Sequence, residues 1–382
     1  MRTRYNPPNR KDMPGSRLLS WLAAAILLCN PVSAQVTNGL TVTGNLSQAF
    51  AQSTEHQVFG INTEFSSAYR VLNLQFGYSV SERNDLIIQL SHRKLGASPF
   101  AETEPNVDLD WGYFTYQFTP GFGVEIGKLP APIGLMNRKR DQSLLLPFYQ
   151  VPYAFYGLNP RLNETVDGSN LRLVMGDQNG WRADLQAFAG FWRFQQARAT
   201  ASPDPNAVDY DLSEHQVSNG FGTQVWLVSP WTHSRIGGGF FSGNETTAEP
   251  ESRFWAAHSS LETAMFFFRF CTEWIYFTNP DQNEDQSGLY AQIQVPIRKV
   301  VTLNGIFQKS WLGLTPQTGE KTWVDGYQEF GFGAKVNFSS QFIVKAEYHL
   351  TEGFAVEDVV LKPLSQSPFQ TQYWIISLSA GF

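Results

Sequence analysis

Beyond residue 34, no stretch of this 382-residue sequence approaches the ~20 consecutive apolar residues that a membrane-crossing helix needs, which excludes a bundle of such helices. Cysteine is nearly absent, with only Cys29 and Cys271. Once an N-terminal leader is removed, Cys271 stands alone, so neither an internal disulfide nor a Cys-based metal centre is available. Positive charge is in deficit, 28 Lys and Arg against 34 Asp and Glu, and an acidic chain argues against nucleic acid as a partner. Catalytic patterns are lacking too. The 6 His are scattered, and no His-x-x-x-His, Glu-x-x-His, Gly-x-Ser-x-Gly or Gly-rich phosphate loop occurs. The sequence therefore predicts neither an enzyme nor a cofactor or metal site. Asp108 and Asp110 resemble a pair of catalytic acids, but two acids on one strand face also read as ordinary pore charge.

What is present starts with an export signal. Arg2, Arg4, Arg10, Lys11 and Arg17 precede a short apolar run from Leu18 to Leu28, and Val32-Ser33-Ala34 ends it with small residues. This is the layout of a cleavable secretory signal over residues 1–34, with Met13 as an alternative start and Gln35 as the expected mature N-terminus. Cys29 raises a lipoprotein alternative, against which Leu28 is bulky for the usual lipidation pattern. The leader would take five of the 28 cations and one of the 34 acids, leaving residues 35–382 with a formal charge of −10.

Aromatic residues make up 14% of the chain, yet the mean hydropathy is only −0.26. Many aromatics without general hydrophobicity suit a sheet with one apolar face. The residues alternate accordingly. Phe330, Phe332, Ala334, Val336 and Phe338 oppose Glu329, Lys335 and Asn337. Phe342, Val344, Ala346, Tyr348 and Leu350 oppose Ile343, Lys345, Glu347 and His349. Phe268, Phe270 and Trp274 oppose Arg269, Cys271 and Glu273. Period two alone also fits a soluble β-sandwich, so an exported soluble β-protein, carbohydrate-binding or hydrolytic, is the competing class.

The connections favour a barrel. Short turns at 81–84, 119–121, 177–180, 229–231 and 339–340 alternate with longer segments at 51–66, 96–106, 130–167, 195–214, 279–286, 313–325 and 352–367. Outer-membrane barrels connect strands this way, with turns inside and loops outside. The spacing predicts one all-β domain over 35–382, a transmembrane antiparallel β-barrel of about sixteen strands. The final segment places Trp374, Ile376, Leu378 and Ala380 on one face and stops at Phe382. Such a strand resembles an assembly signal, with Trp374 and Phe382 as its residues and the barrel-assembly machinery as its partner.

The stretch from Gly127 to Asn137, followed by Arg138-Lys139-Arg140-Asp141, is similar to a motif of proteobacterial porin-like proteins, the general and phosphate-selective porins. Asp108-Leu109-Asp110-Trp111-Gly112-Tyr113 is similar to the strand before it in that family. The likeness spans roughly Arg70 to Tyr156 and the C-terminal strand. Met136 stands where the family has an aromatic, and Lys139 adds a charge. The resemblance implies sixteen strands, a homotrimer and a third long loop folded into the lumen.

The sequence supports that loop independently. Its middle carries Leu144, Leu145, Leu146, Phe148, Tyr149, Tyr153, Phe155 and Tyr156, too apolar to hang in water. Folded inward, it would place Arg138, Lys139, Arg140, Asp141 and Arg161 at a constriction, where rings of charge set ion preference. Asp108, Asp110, Arg269, Glu273, Lys335, Lys345 and Glu347 are then the expected pore lining. Acids such as Asp204, Asp209, Asp281, Glu284 and Asp285 fall in expected outer loops, suited to divalent ions or lipopolysaccharide. The expected function is passive diffusion of small hydrophilic solutes across the bacterial outer membrane. A barrel plugged by its loops, acting as receptor or adhesin, is a further alternative.

Overall fold

In the computed structural model the alternating segments form one closed antiparallel barrel. The structure describes residues 39–382 apart from 103–106, 178, 201–208, 232–233, 248–250, 266, 315–320, 357–358 and 361–367. The expected signal peptide and Gln35, like Asp204, lie outside the described residues. The first strands are β1 (Leu40–Ser53), β2 (Ser66–Ser81), β3 (Asn84–Leu95), β4 (Asp108–Thr119) and β5 (Phe122–Pro130). They continue as β6 (Thr165–Gly176), β7 (Arg182–Thr200), β8 (Asp209–Val228), β9 (Arg235–Glu245) and β10 (Ser252–Met265). Next come β11 (Phe268–Asn279), β12 (Glu284–Arg298), β13 (Val301–Leu314), β14 (Thr322–Asn337) and β15 (Phe342–Gly353). β16 (Ala355–Val356) and β17 (Val359–Val360) form a separate ladder in the last loop, and β18 (Phe369–Gly381) is the sixteenth barrel strand. β18 pairs with both β15 and β1, so every strand of the barrel has two neighbours. Closure leaves no unpaired strand edge, the one condition under which a sheet can satisfy its backbone in lipid.

The facing of the strands follows the period. On β15, Ala346, Tyr348 and Leu350 are exposed, while Lys345, Glu347 and His349 are buried. On β14, Phe330 and Phe332 are exposed and Glu329 is buried. Among the described residues, large exposed apolar side chains recur round the barrel, from Leu72 and Leu86 to Ile126, Leu171, Val225, Ile236, Ile293 and Ile376. An apolar exterior of this extent is the signature of a wall solvated by hydrocarbon rather than water.

Three sequence expectations change. The segment 195–214, read as a long loop, is mostly ladder: Gln195 pairs with Glu214 and Thr200 with Asp209. A strand that rises beyond the membrane needs no apolar outer face, so its polar alternation hid it. The segment 279–286 shrinks to 280–283, because Glu284 already pairs with Asn279 in the β11–β12 ladder. Glu284 and Asp285 are therefore strand residues, ion-paired to Arg161 and Lys321. Finally, the inner face is not uniformly polar. Phe188, Trp192, Phe194, Trp226, Phe241, Phe254, Ile275 and Phe277 are buried in one cluster with loop residues Ile133, Leu135, Leu146, Phe155 and Leu158. An apolar loop brought inside needs an apolar wall to meet it.

The seam between first and last strands ends at Phe382. Gly44 N donates to Phe382 O at 3.1 Å, and Phe382 N donates to Gly44 O at 3.0 Å. The Phe382 ring is about half exposed on the outside. Deleting Phe382 is expected to lower the fraction of folded, heat-modifiable barrel in the outer membrane while leaving export unchanged. Equal membrane-inserted amounts of the deleted and intact chains would argue against any assembly role for this residue.

Candidate functional site

The third loop, residues 131–164, leaves β5 and returns to β6. Both of its stems are tied by one side chain: Asn137 Nδ2 donates to Ala131 O and Glu164 O, each at 2.8 Å. A 3-10 turn at Asn137–Lys139 and a one-turn helix α1 (Tyr153–Tyr156) are its regular pieces. Most of the loop between them is buried.

Inward groups from distant strands hold the loop by its backbone. Glu273 of β11 accepts from Leu135 N at 2.8 Å, from Ser260 Oγ at 2.6 Å, and from the Tyr156 and Tyr290 hydroxyls at 2.5 Å each. Burial, and then the Glu273 charge, push the Tyr156 phenol well above its usual pKa, so it stays a donor. Glu347 of β15 accepts from Tyr149 N at 2.7 Å. Lys345 Nζ donates to Ser143 O and Phe148 O at 2.7 and 2.8 Å, and Lys335 Nζ to Leu144 O at 2.7 Å. Asn45 and Asn73 both donate to Asp141 O, and Asn304 donates to Pro147 O. Gln308 accepts from Ala154 N at 3.0 Å. At β12 the helix comes so close that a Cβ on Gly288 would lie 1.7 Å from Ala154 O. Only glycine allows that approach.

The charges sort into three groups. Arg93 of β3 reaches Asp110 at 3.1 Å, Asp141 at 3.0 Å and Glu164 at 2.8 Å, and Arg140 meets Glu164 at 3.0 Å. Burial pushes Asp141 up to about 7, with Arg93 opposing and Glu164 and Asp110 adding to the rise. Burial works on Glu164 the same way, but Arg93 and Arg140 override it and hold that carboxyl at about 2. Arg161 is fully enclosed, bound to Glu245 at 2.6 Å and Glu284 at 3.0 Å, with its guanidinium over the rings of Phe194 and Phe277. Arg138 of the loop and Arg172 of β6 share Glu125 of β5 at 3.0 and 3.1 Å. Here the exposures differ sharply. The Arg138 and Arg172 side chains are 39% and 44% exposed, while Glu125 is 2% exposed. Water in this part of the barrel meets cations, with the anion behind them.

The structure thus disperses the residues the sequence grouped. Arg138 is open and Lys139 half-buried, Arg140 and Asp141 join the Arg93 network, and Arg161 is locked on the β9–β12 side. Of the expected lining, Glu273, Lys345 and Glu347 point inward but are covered by the loop they anchor, and Lys335 holds the same loop. Asp110 is buried at a bulge where Trp111 pairs with Gln89 and Leu109 with Leu90. Asp108 is half exposed at the long-loop end, 4.0 Å from Lys128, and Arg269 is exposed beside the turn at the opposite end. Sequence reasoning missed Arg93, Glu125, Glu164 and Arg172. A charged residue alternating with Leu171 and Leu173 was the available signal for Arg172.

No protein-family model matches the chain, and comparison with curated proteins found no match. Solved structures do match in fold. OmpF of Salmonella typhi, in complex with daunomycin, superposes with a TM-score of 0.60 at 9% identity, over 90% of this chain and 98% of that one. An anion-selective porin from Comamonas acidovorans gives 0.58 at 9% identity, over 90% and 99%. OmpT, an outer membrane protein of Vibrio cholerae, gives 0.56 at 11% identity, over 92% and 100%. The chain has the fold of a porin-like outer-membrane β-barrel.

Proposed function

We propose that this chain is an outer-membrane channel through which small hydrophilic solutes and ions diffuse passively, with a preference for anions. The carrying observation is the pair Arg138 and Arg172, open to the barrel interior in front of a buried Glu125. Exposed cations beside a low-dielectric wall raise the local concentration of anions, whatever the net charge of distant loops, which salt screens within about 8 Å. The mature charge of −10 inferred from sequence therefore does not set the preference. The role carries no catalytic step. The channel follows the general porin pattern as a homotrimer, a form in which OmpT also occurs among the similar structures. Its outer surface contacts lipid and lipopolysaccharide.

The test is a planar-bilayer measurement under a salt gradient. At about 7 Å in water a unit charge is worth about 0.6 kcal/mol to a passing ion, close to threefold in permeability. Replacing Arg138 and Arg172 together by Gln is expected to shift the anion-to-cation permeability ratio several-fold toward cations, read as a change in reversal potential. Arg83→Gln with Arg298→Gln, at the short-turn end, is expected to shift it far less. If both pairs shift it equally, the loop and β6 do not form the selective region.

The apolar packing of the third loop against β7–β11 favours a second reading, a barrel closed by its loops and used as a receptor. Single-channel currents from the purified protein separate the two. The exposed apolar exterior weighs against an exported soluble β-protein.

A further inference from the structure

The first loop, residues 54–65, also enters the barrel. Val58 and Ile61 exchange backbone hydrogen bonds at 3.1 and 2.8 Å across a two-residue turn. Its central residues, Phe59 and Gly60, both have positive φ, +50° and +72°. This is the geometry of a type I′ turn, which favours Asn-Gly or Gly-Gly. Phenylalanine is a poor choice for the first position, because its Cβ crowds the backbone there. The turn alone therefore does not explain it.

The surroundings do. Phe59 is 6% exposed. Its ring meets Tyr153 of the third loop at 4.8 Å between centroids, Tyr327 of β14 at 5.5 Å and Tyr373 of β18 at 6.2 Å. The hairpin is pinned from several sides. Gly60 O accepts from Tyr69 Oη at 2.5 Å and from Ala97 N at 2.8 Å, and Glu55 N and His56 N donate to Thr371 Oγ1 at 3.2 Å each. Phe59 borders a cavity of about 20 Å³, room for roughly one water, whose other walls include Gln308, Glu329, His349 and Ile375. Val151 and Pro152 of the third loop, with Ile306 and Ile375, make much of its lining apolar, and the polar groups of β13–β15 that face it are satisfied by one another. Glu329 alone accepts from the Tyr327 and Tyr373 hydroxyls and from Gln308. On the same side of the barrel, toward the short-turn end, an amide-rich vestibule of about 410 Å³ is lined by Asn45, Asn73, Gln75 and Gln341.

We infer that Phe59 is an aromatic wedge that closes the loop-side entrance to the polar wall formed by β13–β15 and β18, and so sets which part of the lumen solutes reach. The assignment rests on the channel reading and deepens it. With this side shut, traffic is confined to the side where Arg138 and Arg172 are open. Positive φ at a bulky residue is a local strain, and it persists here because the surroundings over-determine it.

The test is thiol accessibility. Ile375 lines the small cavity and is buried. In the full chain carrying Cys271→Ser and Ile375→Cys, a hydrophilic maleimide added from outside should label slowly. Adding Phe59→Gly or Phe59→Asn, both of which suit the turn, should raise the labelling rate at least tenfold in folded, heat-modifiable barrels. Both should also raise single-channel conductance in potassium chloride. Unchanged labelling in both variants overturns the wedge, as does a rise in Phe59→Gly alone, which assigns the effect to a loosened backbone. The channel reading stands or falls separately, on whether the chain with Phe59 intact conducts or only the variants do.

Discussion

Replacing Glu273 by Ala is expected to release the third loop from its wall and, in the channel proposed above, to raise both conductance and current noise. This one carboxylate is the acceptor for a backbone N–H of the loop, a loop tyrosine, a wall tyrosine and a wall serine. Removing it orphans buried donors at about 1–3 kcal/mol each. Leu135 N and the two phenols alone make that roughly 3–9 kcal/mol, less whatever water entering the vacated space restores. The sixteen-strand ladder uses none of these groups, so the barrel itself should persist. Glu273→Gln should fall between, since its amide presents two donors to neighbours that are themselves donors. The Tyr156 hydroxyl can turn to accept from it only by competing with Met136 N, whose bond it already accepts at 2.6 Å. Protease nicking between residues 131 and 164, with single-channel noise, reads the outcome. If Glu273→Ala leaves both unchanged while the barrel stays heat-modifiable, the loop is not held by this anchor.

Phe332→Arg is expected to damage assembly itself. Phe332 is 59% exposed on the outer face of β14, opposite Gly305 and Tyr348. A guanidinium at mid-bilayer costs about 2–4 kcal/mol, falling toward zero near the interfaces. Lys335→Gln, three residues along the same strand on the inner face, removes one hydrogen bond to Leu144 O, a loss of about 1 kcal/mol. Urea unfolding in lipid vesicles, followed by heat modifiability, should rank the two in that order. Equal destabilisation would mean that Phe332 does not face hydrocarbon.

The barrel was legible because lipid imposes a simple rule. Every outward position within the membrane must be apolar, so β14, β15 and β18 declared themselves residue by residue. The rule lapses above the membrane, which is why the upper parts of β7 and β8 read as loop. The inner face obeys no such rule, because what a lumen residue meets depends on where a loop from far away in sequence lands. Lys335 and Lys345 look alike on the sequence. In the fold, Lys345 is enclosed and spends its ammonium on two loop carbonyls, whereas Lys335 is half open with one. Likewise Glu273 lies 138 residues from the amide it binds. No local pattern could assign that partner. The apolar middle of the third loop did announce that it would be buried, but not that Phe188, Trp192 and Phe254 would receive it. Phe59 left only one trace, the glycine that follows it.

The seam of the barrel also sets its folding kinetics. Ser47 and Ser379, hydrogen-bonded across β1 and β18, are separated by 332 positions in the chain. The other barrel ladders join strands that follow one another round the ring and can zip one hairpin at a time, but the ring closes only when the two ends meet. Loop-closure entropy grows only logarithmically with length, yet a contact this distant costs more to close than any of the hairpins, which makes it the slow step. Opening is hard for the complementary reason. In hydrocarbon the separated edges would find no water to bond their exposed amides and carbonyls. A ring that is slow to close and slower to open is kinetically trapped in its closed form, and its lifetime in the membrane is governed by the rate of opening rather than by an equilibrium between folded and unfolded chains.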